Sequence, residues 1–175
     1  MQSAGRAKQL PRSGRPYMPG YEVMFDKRRK NLPWTWAVRR LTNSHNYWLV
    51  STWPGGRPHS MPVWGVWLDG SFFFSTGRLS RKSKNLQAAP NCIVCPEDAA
   101  EAVILEGVAE TSTEPSMFRR FAHAYKKKYD WDMAGTKDPV YRVRPRRAFG
   151  FVETPSKTRG NPTRWLFPGH ESTRA

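Results

Sequence analysis

Only two cysteines, Cys92 and Cys95, occur in 175 residues. That is too few to frame a disulfide-stapled secreted domain. No stretch approaches the ~18 consecutive apolar residues that a membrane-spanning helix requires. Met1 to Arg15 carries basic residues without an apolar stretch, so no secretory leader is expected. Acidic residues are scarce: 14 Asp and Glu stand against 29 Lys and Arg, a formal net charge of +15. G-x-S-x-G, the phosphate-cradling P-loop and H-E-x-x-H are all missing, which removes the familiar signatures of serine hydrolases, P-loop nucleotide hydrolases and zinc proteases. A length of roughly 100–200 residues per domain makes this one domain. The expectation is a soluble, cytoplasmic protein with no membrane partner.

What the chain does have is aromatic mass and uneven charge. Phe, Trp and Tyr make up 13% of the sequence, including eight Trp, enough for a substantial core and against wholesale disorder. Net charge is +8 over residues 1–40, −1 over 41–110 and +8 over 111–175. Two basic flanks around a neutral centre suit a solvated surface or an anionic partner: nucleic acid, a phosphorylated cofactor or an acidic ligand tail.

Residues 1–20, with Pro11, Pro16, Pro19 and several Gly and Arg, read as a flexible basic arm preceding a domain over 21–175. Tyr21 to Arg40 reads as a short helix or ordered lead-in. Strands are expected over Asn46–Trp53, ended by Pro54-Gly55-Gly56, and over Pro58–Leu68, where Pro62 demands an edge or a bulge. Asp69-Gly70 is a two-residue hairpin turn, returning as a strand over Ser71–Thr76. Ser80–Ala89 reads as a helix capped by Ser80 and stopped by Pro90. Strands follow over Asn91–Cys95 and Ala102–Thr111, an amphipathic helix over Pro115–Tyr129, and closing strands over Arg142–Glu153 and Arg164–Phe167. The order lacks βαβ alternation and favours a mainly β (α+β) fold, an antiparallel barrel with helical insertions.

The segment Phe72–Leu86 carries the chemistry. A strand ends in Ser75-Thr76, Gly77 relieves the turn, and a helix begins near Ser80 with Arg81, Lys82 and Lys84 in its first turn. Cations there oppose the positive end of the helix dipole. A bound anion would convert that conflict into attraction, taking backbone N–H groups, the Ser75, Thr76 and Ser80 hydroxyls, and charge from Arg81 and Lys82. Each charge-assisted hydrogen bond nets only ~1.5–3 kcal/mol, whereas micromolar affinity needs ~8 kcal/mol. A planar, apolar surface must supply the rest, and Trp48, Trp53, Trp64 and Trp67 are candidates.

The runs Gly56-Arg57-Pro58-His59, Pro62-Val63-Trp64, Asp69-Gly70, Phe74-Ser75-Thr76, Ser80-Arg81-Lys82, Asn85-Leu86, Ala89-Pro90 and Leu105-Glu106-Gly107 together resemble the pyridoxamine 5′-phosphate oxidase-like split-barrel family of FMN- and coenzyme F420-dependent oxidoreductases. The likeness covers about residues 40–111, and Pro162-Thr163-Arg164-Trp165 resembles a closing-strand motif of actinobacterial members. It implies a six-stranded antiparallel split β-barrel with flanking helices, a homodimer, and FMN or F420 at the dimer interface. Carried over by this resemblance, Ser75, Thr76, Arg81 and Lys82 contact the cofactor phosphate, with Ser80 beside them. Pro62, Val63 and Trp64 lie against the ring, with His59 among the cofactor-binding positions; vitamin B6 oxidases carry a basic pair where His59 and Trp64 stand. Ala102 stands where vitamin B6 oxidases offer a glutamine, and their C-terminal Arg and His motif is not recognisable, which argues against vitamin B6 oxidation. F420, with its polyanionic tail, suits a basic protein, and FMN fits the same corner.

The expected activity is hydride transfer with a small organic substrate. His59, His123 and Tyr125 are candidate proton donors. Cys92 and Cys95 sit on an expected strand, pointing to opposite faces, and read as buried thiols. Two other classes remain open: a cofactor-storage protein, and a non-catalytic nucleic-acid binder. The second is disfavoured because the aromatics fall in the neutral block while the basic clusters fall in the flanks.

Overall fold

A computed structural model describes residues 10–153 and 160–169. Its strands are β1 (Arg12–Gly14), β2 (Tyr47–Thr52), β3 (Pro58–Val63), β4 (Gly65–Leu68), β5 (Ser71–Ser75), β6 (Asn91–Pro96), β7 (Glu101–Thr111), β8 (Val140–Val152) and β9 (Thr163–Leu166). Three helices accompany them: α1 (Trp34–Asn43), α2 (Arg81–Ala88) and α3 (Pro115–Tyr129), with a single 3-10 turn at Glu22–Met24. All pairings between these strands are antiparallel.

The sheet runs β1-β9-β8-β7-β6-β2-β3, and β5 branches from β8 carrying β4. The split lies in the long β8. Its first residues, Val140–Val143, pair with β5, and its later ones, Arg147–Gly150, pair with β9. The expected single strand over residues 58–68 is bent at Trp64 into β3 and β4. With that bend counted as one strand, β2 to β8 supply the six expected barrel strands. The ladder is not closed, and β9 and β1 add two more strands, nine in all with β3 and β4 counted separately.

Alternation explains the strands. Tyr47, Leu49 and Ser51 of β2 are buried while Trp48 is exposed and Val50 half-buried, and β7 alternates in the same way along its length. The Asp69-Gly70 turn holds both residues at positive φ (52° and 78°), the twist that two-residue hairpins favour. The main core joins Tyr47, Phe72, Phe74, Leu105, Val143 and Trp165. A second cluster joins Phe73 and Val66 to Phe121 and Tyr125 of α3. α3 starts with Pro115 at its first position, carries Lys126–Lys128 in its last turn and ends at Asp130 in the left-handed region (φ 53°). Each of these matches its end of the helix dipole or its cap.

The basic arm expected over residues 1–20 needs revision where it is described. Arg12, Ser13 and Gly14 pair with Leu166, Trp165 and Arg164; residues 1–9 lie outside the described part. The lead-in from 26 to 32 is pinned by the closing-strand motif. Asn161 Oδ1 accepts the Asp26 N–H (3.0 Å), and its Nδ2 donates to the carbonyls of Asp26 (3.0 Å) and Arg29 (2.8 Å). Thr163 Oγ1 accepts the Leu32 N–H at 2.8 Å. No helix among the described residues is long and apolar enough to cross a membrane.

Candidate functional site

At the end of β5 the chain turns through Thr76 and Gly77 into α2. Ser80 is the helix cap: its Oγ accepts the Ser83 N–H at 3.2 Å and lies 3.2 Å from Thr76 Oγ1. No acidic residue occupies the first turn of α2. This corner forms one wall of an open cleft of about 390 Å³, lined there by Ser75, Thr76 and Lys82. The opposite wall is Pro62, Val63 and Trp64 at the bend between β3 and β4, with Tyr125 of α3 and Asn46 completing it.

Six of the nine residues singled out from the sequence therefore share the cleft, and three do not line it. Ser80 stands behind Thr76 as the cap. Arg81 turns outward, its guanidinium 3.7 Å from the centre of the Trp53 ring, which also has Arg57 at 4.1 Å. Consecutive helical residues diverge by about 100°, so only one of Arg81 and Lys82 can face the cleft. His59 is half-buried on β3, with Nδ1 3.5 Å from Ser51 Oγ. Ser51 Oγ also accepts from Asn85 Nδ2 at 3.1 Å, while the buried Asn85 Oδ1 has no hydrogen-bond partner.

Lys82 makes no hydrogen bond or ion pair with a described residue, and burial holds its ammonium below the usual lysine pKa. An anion in the cleft would reverse that cost. The Ser75 hydroxyl donates to the Pro139 carbonyl at 3.1 Å; rotating away would free it for a ligand. Burial raises the Tyr125 pKa, so this cleft-lining phenol stays protonated at neutral pH. Of the other candidate proton donors, His123 lines a separate groove on α3, and His59 is half-buried on edge strand β3 beside Ser51, outside the cleft lining.

The Trp64 wall is fixed from behind by residues that the sequence reading did not single out. Its ring stacks on Tyr129, with centroids 4.8 Å apart and planes at 6°. Tyr129 OH accepts the Gly65 N–H (2.9 Å), and the carbonyls of His45 and Gly65 each lie 2.8 Å from it. Lys128 Nζ reaches Tyr47 OH (2.7 Å), Gly65 O (3.1 Å) and Thr42 O (3.2 Å). Burial pushes Tyr129 up to about 12 and pulls Lys128 down to about 8, the Glu97 carboxylate opposing the pull on Lys128. Helical spacing in α3 had marked only its apolar face, and no short-range signal ties residue 129 to residue 64.

Cys92 is buried and Cys95 half-buried, so the expectation of two buried thiols holds fully only for the first. Burial pushes their pKa values up to about 12 and about 11. Among the described residues no group of His, Cys, Asp and Glu is arranged to hold a metal.

A site with an ammonium and hydroxyls at one end and an apolar, aromatic wall at the other suits a planar ligand ending in an anion. The pyridoxamine 5′-phosphate oxidase family model matches residues 35–153, and the chain belongs to that family. No curated protein matches the sequence. A conserved hypothetical protein of Mycobacterium tuberculosis superposes with a TM-score of 0.64 at 22% identity, covering 74% of this chain and 90% of that one. An F420 reductase gives 0.51 at 20% identity, over 61% and 90% of the two chains. A heme binding protein of Mycobacterium smegmatis gives 0.58 at 16%, over 69% and 55%. At these identities the likeness is one of fold.

Proposed function

We propose that the cleft holds FMN or coenzyme F420 and that the protein is a flavin- or deazaflavin-dependent oxidoreductase acting on a small organic substrate. The observation that carries this reading is Lys82, a half-buried ammonium without a partner among the described residues, facing the apolar wall of Pro62, Val63 and Trp64 across one cleft. The donor set fits a phosphate ester: a cation and the Thr76 and Ser75 hydroxyls, with no carboxylate in the lining to repel it. A cleft of about 390 Å³ lies within the usual ~300–1,000 Å³ of small-molecule sites. The solved F420 reductase with this fold supports the cofactor class, and the family match supports the reaction class.

A bound cofactor of this type would supply hydride transfer. The chain's own residues would do the rest. Lys82 and Thr76 hold the phosphate, and the Trp64 wall orients the ring and excludes water from one side. Tyr125 keeps a proton in the cleft for the reduced or oxidised substrate. Arg81, stacked on Trp53, adds charge from outside the cleft. We further propose that a second copy covers the open side. Trp48, paired across strands with Pro62, is 49% exposed, a large aromatic left in solvent beside the cleft.

Titration of the purified chain with FMN and F420 separately, followed by absorbance and fluorescence, tests the proposal. Loss of one charge-assisted hydrogen bond of ~1.5–3 kcal/mol predicts that Lys82→Ala weakens binding roughly ten- to a hundredfold, and Arg81→Ala much less. Binding of neither cofactor, or Lys82→Ala within twofold of the parent, refutes it. Turnover of reduced cofactor with an added electron acceptor separates an enzyme from a carrier.

A further inference from the structure

β5 links two grooves. Ser75, at its end, lines the cleft; Ser71, at its start, lines a second groove of about 480 Å³ beside the Asp69-Gly70 turn. At ~3.3 Å per residue the two lie about 13 Å apart along the strand. Arg142, Arg144 and Arg146 of β8 all line the second groove, with Phe167 and Val108 as an apolar wall.

Arg142 and Arg144 are held by partners, while Arg144 and Arg146 stay exposed to a ligand. Arg142 Nε donates to Ser71 Oγ at 3.1 Å, and its guanidinium sits 5.9 Å from the centre of the Phe73 ring. Arg142 and Arg144 share a single carboxylate, Glu110, at 4.0 and 2.5 Å. Asp69, on the rim, is in a salt bridge with Arg120. Arg146 makes no ion pair with a described residue. Three guanidiniums, Arg142, Arg144 and Arg146, line the groove, and Asp69 is the one carboxylate among its described lining residues.

The backbone is also shaped for this arrangement. The pairing of β7 with β8 slips at Glu106/Gly107, matching Arg147 to Glu106 and Pro145 to Gly107. Arg146 is the extra, bulged residue, and a bulge turns a side chain out of the regular alternation. Arg142, Arg144 and Arg146 share the outward face of the pleat, and the bulge turns Arg147 to that face as well.

We propose that this groove is a second binding site, separate from the cleft, for a small organic dianion. Its two negative charges, borne by a phosphate monoester or by a pair of carboxylates, meet Arg144 and Arg146, and its apolar body rests on Phe167. Arginine's planar fork gives such groups paired hydrogen bonds that lysine would not. The proposal does not depend on what the cleft binds.

Calorimetric and NMR titrations with phenyl phosphate and with phthalate test it, with benzyl alcohol as the uncharged control. At least one dianion should bind and benzyl alcohol should not; the tighter of the two identifies the anionic group. Arg146→Gln and Arg144→Gln should each weaken binding about tenfold or more, as expected for loss of a charged hydrogen bond, while leaving FMN affinity in the cleft unchanged. Lys82→Ala, which acts on the cleft, should leave phenyl phosphate affinity unaltered. If FMN does not bind, the two arginine variants still decide the question. Loss of phenyl phosphate binding in Lys82→Ala, equal affinity in the arginine variants, or tight binding of a single-stranded oligonucleotide without binding of either dianion would overturn the assignment.

Discussion

The support behind Trp64 can be tested by removing one oxygen. In Tyr129→Phe the ring still stacks on Trp64, but the hydroxyl that accepts the Gly65 N–H at 2.9 Å is gone. Gly65 is buried, and a buried donor left without a partner costs ~1–3 kcal/mol. The Gly65 carbonyl keeps Lys128 Nζ at 3.1 Å, and the His45 carbonyl, exposed where it meets the hydroxyl, turns to water, so the buried loss is that one N–H. For a chain of this length each kcal/mol moves Tm by roughly 2–4 °C, giving a fall of about 2–12 °C. Tyr129→Leu should lose a further ~0.5–1.5 kcal/mol through the missing ring contact and should shift Trp64 emission to longer wavelength, which Tyr129→Phe should not. Urea unfolding followed by tryptophan fluorescence measures both. A Phe variant within ~0.3 kcal/mol of the parent would show that the hydroxyl holds nothing, and the account of the Trp64 wall would fail.

Two further outcomes follow from burial. A Cβ on Gly107 would lie 2.5 Å from the Arg144 carbonyl oxygen and 2.7 Å from Val143 Cγ1, so Gly107→Ala should cost ~1–3 kcal/mol by overpacking; an unchanged urea midpoint would contradict the tight bulge. Because burial favours the neutral thiol, raising Cys95 to about 11 and Cys92 to about 12, thiolate is scarce at pH 8 and grows as pH rises. Labelling by an aromatic disulfide should be slow at pH 8, accelerate toward pH 11 and reach Cys95 first; rapid labelling of either at pH 8 would refute this.

Local physics made much of the fold readable. β-favouring residues ended by Pro54-Gly55-Gly56 marked β2, Asp69-Gly70 marked the hairpin, Ser80 marked the start of α2, and Pro115–Tyr129 is a helix with the bounds its periodicity indicated. β1 was hidden because three residues, Arg12 to Gly14, are ordered only by distant Thr163–Leu166, and no local pattern reports a long-range edge. The bend at Trp64 was half visible: Pro62 announced an irregular strand, but Tyr129, 65 positions later, holds the bend. Within the candidate site, the Ser-Arg-Lys run was legible as a cluster of cations at a helix start. Which cation turns inward was not, since that depends on Trp53 lying where Arg81 can cover it. His59 lies opposite Ser51, a partner fixed by the register of β2 with β3, and so is kept from the cleft lining.

The end of the sheet at β3 has a consequence for how copies of this chain can associate. Trp53 N–H donates to Arg57 O, so the alternating ladder leaves the amides of residues 58, 60 and 62 aimed away from β2. Two of those three positions are proline and have no hydrogen to offer. An approaching strand would find one donor where it needs three. Growth by adding strand to strand is blocked at this margin, so stacking face against face stays open while polymerisation into fibres through β3 does not.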